Sequence, residues 1–137
     1  QKDFENRISS IKEHLKKMEK IEPGRIKSIR SKLNKGLEDI DESMQVDKNR
    51  FEQELIYYIE KIDITEEKVR LRSHLNFFTD TLKEADSNGK KLGFILQEIG
   101  REINTIGSKA NDADIQRHVV QMKDELEKMK EQAANII

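Results

Sequence analysis

Apolar residues recur along this chain at i, i+3/i+4 spacing, the period of one face of a helix. Six such ladders can be traced. The first is Phe4, Ile8, Ile11, Leu15 and Met18; it stops near "IEPG", where Pro23 disfavours a continued helix and can open the next. The second is Ile26, Ile29, Leu33, Leu37 and Ile40. The third, Phe51, Leu55, Tyr58 and Ile62, follows Asp47 as a helix cap. The fourth, Ile64, Leu71, Leu75, Phe78 and Leu82, begins in "DITEE", where Asp63 and Glu66 have capping-box spacing. After the break "DSNG" (86–89) comes the fifth, Leu92, Leu96, Ile99, Ile103 and Ile106. The sixth, capped by Asn111 or Asp112, runs through Ile115, Val119, Met122, Leu126, Met129, Ala133 and Ile136.

The pattern predicts an all-α protein of about six helices in long antiparallel hairpins. The stripes are narrow, so packing is expected to be coiled-coil-like, with the fourth and fifth helices together. The first two ladders find little else in the chain to cover them, which predicts association with another copy or another domain. Residues 1–46 are expected to be a helical segment joined to a preceding N-terminal domain, because the chain opens on Gln1 as a piece of a longer protein would. Residues 47–137 form the C-terminal helical domain.

Composition sharpens this picture. Charged residues make up 39%, aromatics 5%, and there is one Pro. A net charge of −1 gives no overall field that would select nucleic acid or membrane, so any binding surface must be local. The absence of Cys excludes disulfides and thiolate metal sites and points to a cytoplasmic setting. No apolar run approaches the roughly 20 residues of a membrane span.

The chemistry lies where polar residues crowd the seams, above all in "FILQEIGREINTIGSKANDAD" (94–114). At about 100° per residue, Glu67 and His74 sit about 40° and 60° to one side of the Leu71 stripe, with Arg70 further round. On the fifth helix Glu98 and Glu102 share a flank with Lys91 and Lys109. Such a strip can be a satisfied boundary network of arginines and carboxylates. It can also hold a hard divalent cation, since carboxylates with one imidazole favour Mg²⁺ or Mn²⁺ over Zn²⁺. His118 reads as a boundary core residue and His14 as solvated. The basic run "GRIKSIRSKLNK" (24–35) spreads its charges around the axis and reads first as a solvated helix.

Polar identities at fixed offsets carry a resemblance. The chain has Glu52, Gln53 and Glu54; Asp63, Ile64, Glu66 and Glu67; and Arg70, Leu71, Ser73 and His74. It continues with Gly89, Leu92, Phe94, Gln97 and Glu98; Arg101, Glu102, Asn104 and Thr105; Ser108 and Lys109; and Glu131, Gln132 and Asn135. Over about residues 47–137 this resembles the C-terminal domain of the YicC/YloC family of bacterial proteins. Residues 1–46 match only in character. The resemblance implies a stress-associated, metal-dependent endoribonuclease assembled as a ring. One departure stands out: the family usually has Asn where this chain has Gly100. Its loss would matter if that side chain contacted RNA or oriented a ligand. The family also usually has an apolar residue at the position of His118.

Read through that resemblance, His74, Glu98 and Glu102 are the candidate catalytic residues. Arg70, Arg101, Asn104 and Lys109 are candidates for binding RNA, and Glu67, His74, Glu98 and Glu102 for holding Mn²⁺ or Mg²⁺. The geometric expectation is that Glu67 and His74 face Glu98 and Glu102 across the seam. RNA and further copies of the chain are the expected partners, with no membrane and no DNA. The alternatives are a helical oligomerisation module and an RNA-binding adaptor, neither with its own catalysis.

Overall fold

A computed structural model describes residues 2–38, 48–84, 89–110 and 112–136. Among them are five helices and no strand: α1 (Lys2–Glu38), α2 (Lys48–Ile62), α3 (Thr65–Leu82), α4 (Gly89–Lys109) and α5 (Ala113–Ile136). The all-α expectation holds; the count of about six does not. The first ladder and the second as far as Leu37 belong to one helix, which runs through Pro23. A proline inside a helix costs about 3 kcal/mol, so something must hold the turn around it. Arg25 does this, with Nε 2.9 Å from Glu22 Oε2 and Nη2 2.5 Å from Glu22 Oε1. Both residues are buried, and the pair needs the i, i+3 spacing of a helix. Arg25 also donates to the Ile62 carbonyl at 2.8 Å, satisfying a group left open at the end of α2. The expectation that this basic run is solvated therefore fails at Arg25.

The packing follows the ladders. α3 lies along α4, α4 along α5, and α5 along the N-terminal half of α1, which also touches α3. Contacts fix the antiparallel register. Between α1 and α5, Arg7 pairs with Glu125 at 2.9 Å and His14 meets His118 further along α1. Between α3 and α4, Arg70 pairs with Glu102 while Lys91 reaches Glu84. Phe4, Ile8, Ile11, Leu15 and Met18 join the ladders of α3, α4 and α5 in a single core, and Phe4 meets Phe78 edge-on with ring centroids 5.5 Å apart. The core thus takes in residues on both sides of position 46, and the first ladder is covered by this chain, contrary to expectation. The second is not: Ile26, Ile29 and Leu33 stay half-buried. Among the described side chains of α2 only Leu55 is buried, and Tyr58 of its ladder is exposed.

Two glycines let α4 and α5 approach closely. A Cβ on Gly100 would lie 3.1 Å from Leu126 Cδ2, and one on Gly107 would lie 3.2 Å from Val119 Cγ1. Position 100 therefore faces α5, and a side chain there would press first on Leu126.

The caps are partly as expected. Asp112 Oδ1 accepts the backbone N–H of Asp114 at 2.9 Å and of Ile115 at 3.1 Å, capping α5. The box at α3 does not form. Asp63 Oδ1 accepts from the Thr65 hydroxyl and N–H, which holds its carboxyl below the usual range, and Glu66 turns to Arg70 instead. Ile40, Asp47, residues 86–88 and Asn111, and the side chains of Leu37 and Ile136, lie outside the described residues. No helix among the described residues is long and apolar enough to cross a membrane.

His14 departs from its solvated reading. It is half-buried, with Nδ1 2.9 Å from His118 Nδ1 across the α1–α5 seam. Burial first, then His118 and Lys17, push its pKa down.

Candidate functional site

Helical spacing puts Glu67, Arg70 and His74 on the flank of α3 beside its core stripe, with the exposed Glu66 further round. It puts Glu98, Glu102 and Lys109 on the facing flank of α4. Arg70 is the hub. Its Nε donates to Glu102 Oε1 at 2.9 Å, its Nη1 lies 2.7 Å from Glu66 Oε1, and its Nη2 lies 3.8 Å from Glu67 Oε1. The hydrogen bond to Glu102, foremost, raises the Arg70 pKa further above its ordinary value. Lys109 closes the far end, with Nζ 2.5 Å from Glu67 Oε1 and 3.5 Å from the Asp63 carbonyl.

The two central carboxylates are nearly sealed from water: Glu67 is 2% exposed and Glu102 5%. Each uses one oxygen for its cation, and Oε2 of each is buried without a hydrogen-bond partner. Leaving a buried polar atom unpaired costs about 1–3 kcal/mol, more when it carries charge. Packing alone gives no reason to place carboxylates there.

Four of the predicted residues, Glu67, Arg70, Glu102 and Lys109, thus meet in one network. Glu98 stands apart, 3.8 Å from the exposed Arg101. His74 is half-buried one turn beyond Arg70. Asn104 is exposed, and its carbonyl accepts the Ser108 hydroxyl at 3.1 Å. Among the described residues no three His, Asp or Glu side chains come together in a way that could hold a metal ion. The donor set therefore does not suit an all-protein cage. Two carboxylates, each with one unpartnered oxygen, are hard oxygen donors of the kind Mg²⁺ or Mn²⁺ takes, with its remaining ligands coming from elsewhere. Glu66, outside the candidate site residues, joins the network through its i, i+4 spacing to Arg70, a signal present in the sequence.

Comparison with known proteins settles the family. A family model described as "Endoribonuclease YicC-like, C-terminal" matches residues 15–137. The chain belongs to the YicC-like endoribonuclease family. It is 41% identical over 135 residues to the "Probable endoribonuclease YicC" of Clostridioides difficile (strain 630). It is 36% identical over 133 residues to the protein of the same name from Haemophilus influenzae. These alignments cover 98% and 97% of this chain but 46% of each relative. The chain thus spans about half the length of the curated relatives it matches. The resemblance read from the polar motifs is borne out, and the family model reaches further back into α1 than those motifs did.

Proposed function

We propose that this chain is the C-terminal part of an RNA-cleaving enzyme of the bacterial cytoplasm, and that the α3–α4 seam is where the RNA backbone is held. The observation that carries the reading is the pair of buried carboxylates, Glu67 and Glu102, each with one oxygen left without a hydrogen-bond partner, on two helices of a chain in an endoribonuclease family. Arg101 and Asn104 are exposed on α4 and can meet phosphate or sugar with little internal rearrangement. Arg70 and Lys109 already bond carboxylates, so they orient Glu67 and Glu102 first and touch RNA second. His74, the imidazole of this seam, takes the role of general acid or base. Glu98 lies on the same flank of α4 and supplies a further carboxylate. When bound at Glu67 and Glu102, Mg²⁺ or Mn²⁺ would offset charge on the phosphate and lower the pKa of a bound water.

The test is RNA cleavage by the full-length protein with Mn²⁺, beside Glu67→Gln, Glu102→Gln and His74→Ala. Loss of cleavage in all three, with helicity retained, is expected. Cleavage at the wild-type rate in both Gln variants would put the chemistry away from this seam.

A second reading has its own observation. Ile56, Tyr57 and Tyr58 are exposed on α2, a helix whose main contacts within the chain are with α1. Such a surface fits a helical module that assembles copies into a ring while the chemistry lies elsewhere. Light scattering that finds only monomers at high concentration would remove it.

A further inference from the structure

The outer surface of the α3–α4 hairpin carries two phenyl rings that the core does not use. Phe77 is 47% exposed and Phe94 63%. On α3 the neighbouring Phe78 fills the core, so Phe77 is turned outward. On α4 Leu92, Ile95 and Leu96 are buried around Phe94. Single exposed apolar residues are ordinary. These two are linked. Lys91 Nζ lies over the Phe77 ring, 5.4 Å from its centroid, and Phe94 is one helical turn beyond Lys91. The exposed Arg101 lies seven residues past Phe94, two turns along the same face.

We propose that Phe77 and Phe94 are a stacking platform for the bases of single-stranded RNA, with Lys91 and Arg101 placed to meet the adjoining phosphates. This rests on the RNA-cleaving reading above and extends its site along the hairpin. The chemistry favours RNA over a second copy of the chain. A protein interface core is a contiguous patch depleted of charge. Here each ring stands singly among exposed polar side chains: Ser73 and Asp80 on α3, and Lys91, Gln97 and Arg101 on α4. Isolated rings beside cations suit bases, which all present a π-face, joined by phosphates. The cations can be released to phosphate. The Lys91–Glu84 pair is 3.3 Å long and exposed at both ends, and the Arg101–Glu98 pair is loose at 3.8 Å. Exposed pairs of this kind hold weakly.

The experiment uses the full-length protein with chelator present, so that RNA is bound without being cut. The probes are a fluorescein-labelled single-stranded oligoribonucleotide and one carrying 2-aminopurine. Phe77→Leu/Phe94→Leu keeps apolar bulk and removes the π-face; Phe77→Trp/Phe94→Trp keeps both. The Leu pair should weaken binding by at least about 5-fold per ring. It should also lose the quenching of 2-aminopurine. The Trp pair should retain affinity and quenching, and light scattering should give both variants the wild-type mass. Leu variants that bind and quench like the wild type, while the wild type still cuts RNA with Mn²⁺, overturn the platform and leave the cleavage reading standing. A changed mass in the Leu pair overturns it in favour of self-association. A wild type that neither binds nor cuts RNA overturns both.

Discussion

Lys109→Met isolates the energetics of the buried seam. Lys109 Nζ sits 2.5 Å from Glu67 Oε1, and the carboxylate behind it is 2% exposed. Breaking a buried ion pair by removing one partner costs about 3–5 kcal/mol, mostly the charge left behind. Two features lower that here. The Lys109 side chain is 32% exposed, so part of the attraction is already screened, and Arg70 Nη2 remains 3.8 Å from the same oxygen. The expected loss is about 2–3 kcal/mol. At roughly 3–4 °C per kcal/mol for a chain of this size, the melting temperature should fall by about 6–12 °C.

The partner variant supplies the control. Glu67→Gln/Lys109→Met removes the stranded charge and should recover most of the loss. It should still fall short of the wild type by about 0.3–1 kcal/mol, because Lys109 also sits at the C-terminal end of α4, where a cation is favoured. Thermal melts followed by circular dichroism at neutral pH measure all three proteins. If Lys109→Met melts with the wild type, Glu67 is hydrated and the buried network is not what holds it. If the double variant is as unstable as the single, the two residues are not coupled.

The glycines of α4 should respond oppositely to alanine. At Gly93 nothing lies within 4 Å of an added Cβ, so Gly93→Ala should stabilise by up to about 1 kcal/mol through helix propensity. At Gly100 the same change meets Leu126, and overpacking of about 1–3 kcal/mol cancels or exceeds that gain, so Gly100→Ala should melt below Gly93→Ala. Stability should also fall in mild acid through the His14–His118 contact, which Lys17 and Glu13 on α1 and Glu125 on α5, itself held by Arg7, surround. Burial, then His118 and Lys17, lower the folded His14 pKa below 6.5, so the unfolded chain binds the extra proton. Stability is then full above pH 6.5 and is lost as pH falls through the lowered folded value. Melts from pH 8 to pH 5 should show this slope in the wild type and a shallower one in His14→Gln.

Periodicity located what the core uses wherever a partner helix exists. The ladders of α3, α4 and α5 and the first half of α1 are buried essentially as spaced. It failed at Ile26, Ile29, Leu33 and Tyr58, because a stripe records a capacity to pack and not the presence of something to pack against. Pro23 misled for a related reason: the buried Glu22–Arg25 pair that holds its turn also depends on Ile62, 37 residues away from Arg25. The flank of Glu67, Arg70, Glu102 and Lys109 was legible from 100° steps. Which carboxylate met which cation was not, since that depends on the hand of packing and on the offset between α3 and α4. The His14–His118 contact joins residues 104 apart and leaves no local trace.

Gly100 shows how the structure changes the weight of a sequence departure. Read along the chain, an Asn missing immediately before Arg101 and Glu102 looks like damage to the polar site. In three dimensions neighbouring helical positions point about 100° apart. Glu102 meets Arg70 on α3, whereas a side chain at position 100 would press on Leu126, with Lys130 Nζ 3.9 Å from its Cβ. An Asn there would belong to the α4–α5 contact and could at most bond along α5. The departure therefore bears on how closely α4 and α5 pack. It leaves Glu98, Glu102 and Lys109 in place on the other side of the helix and Arg101 about 100° round from position 100, while Asn104, one turn on from position 100, stays exposed. If the seam cuts RNA in this family, Gly100 gives no reason for this chain to be the exception.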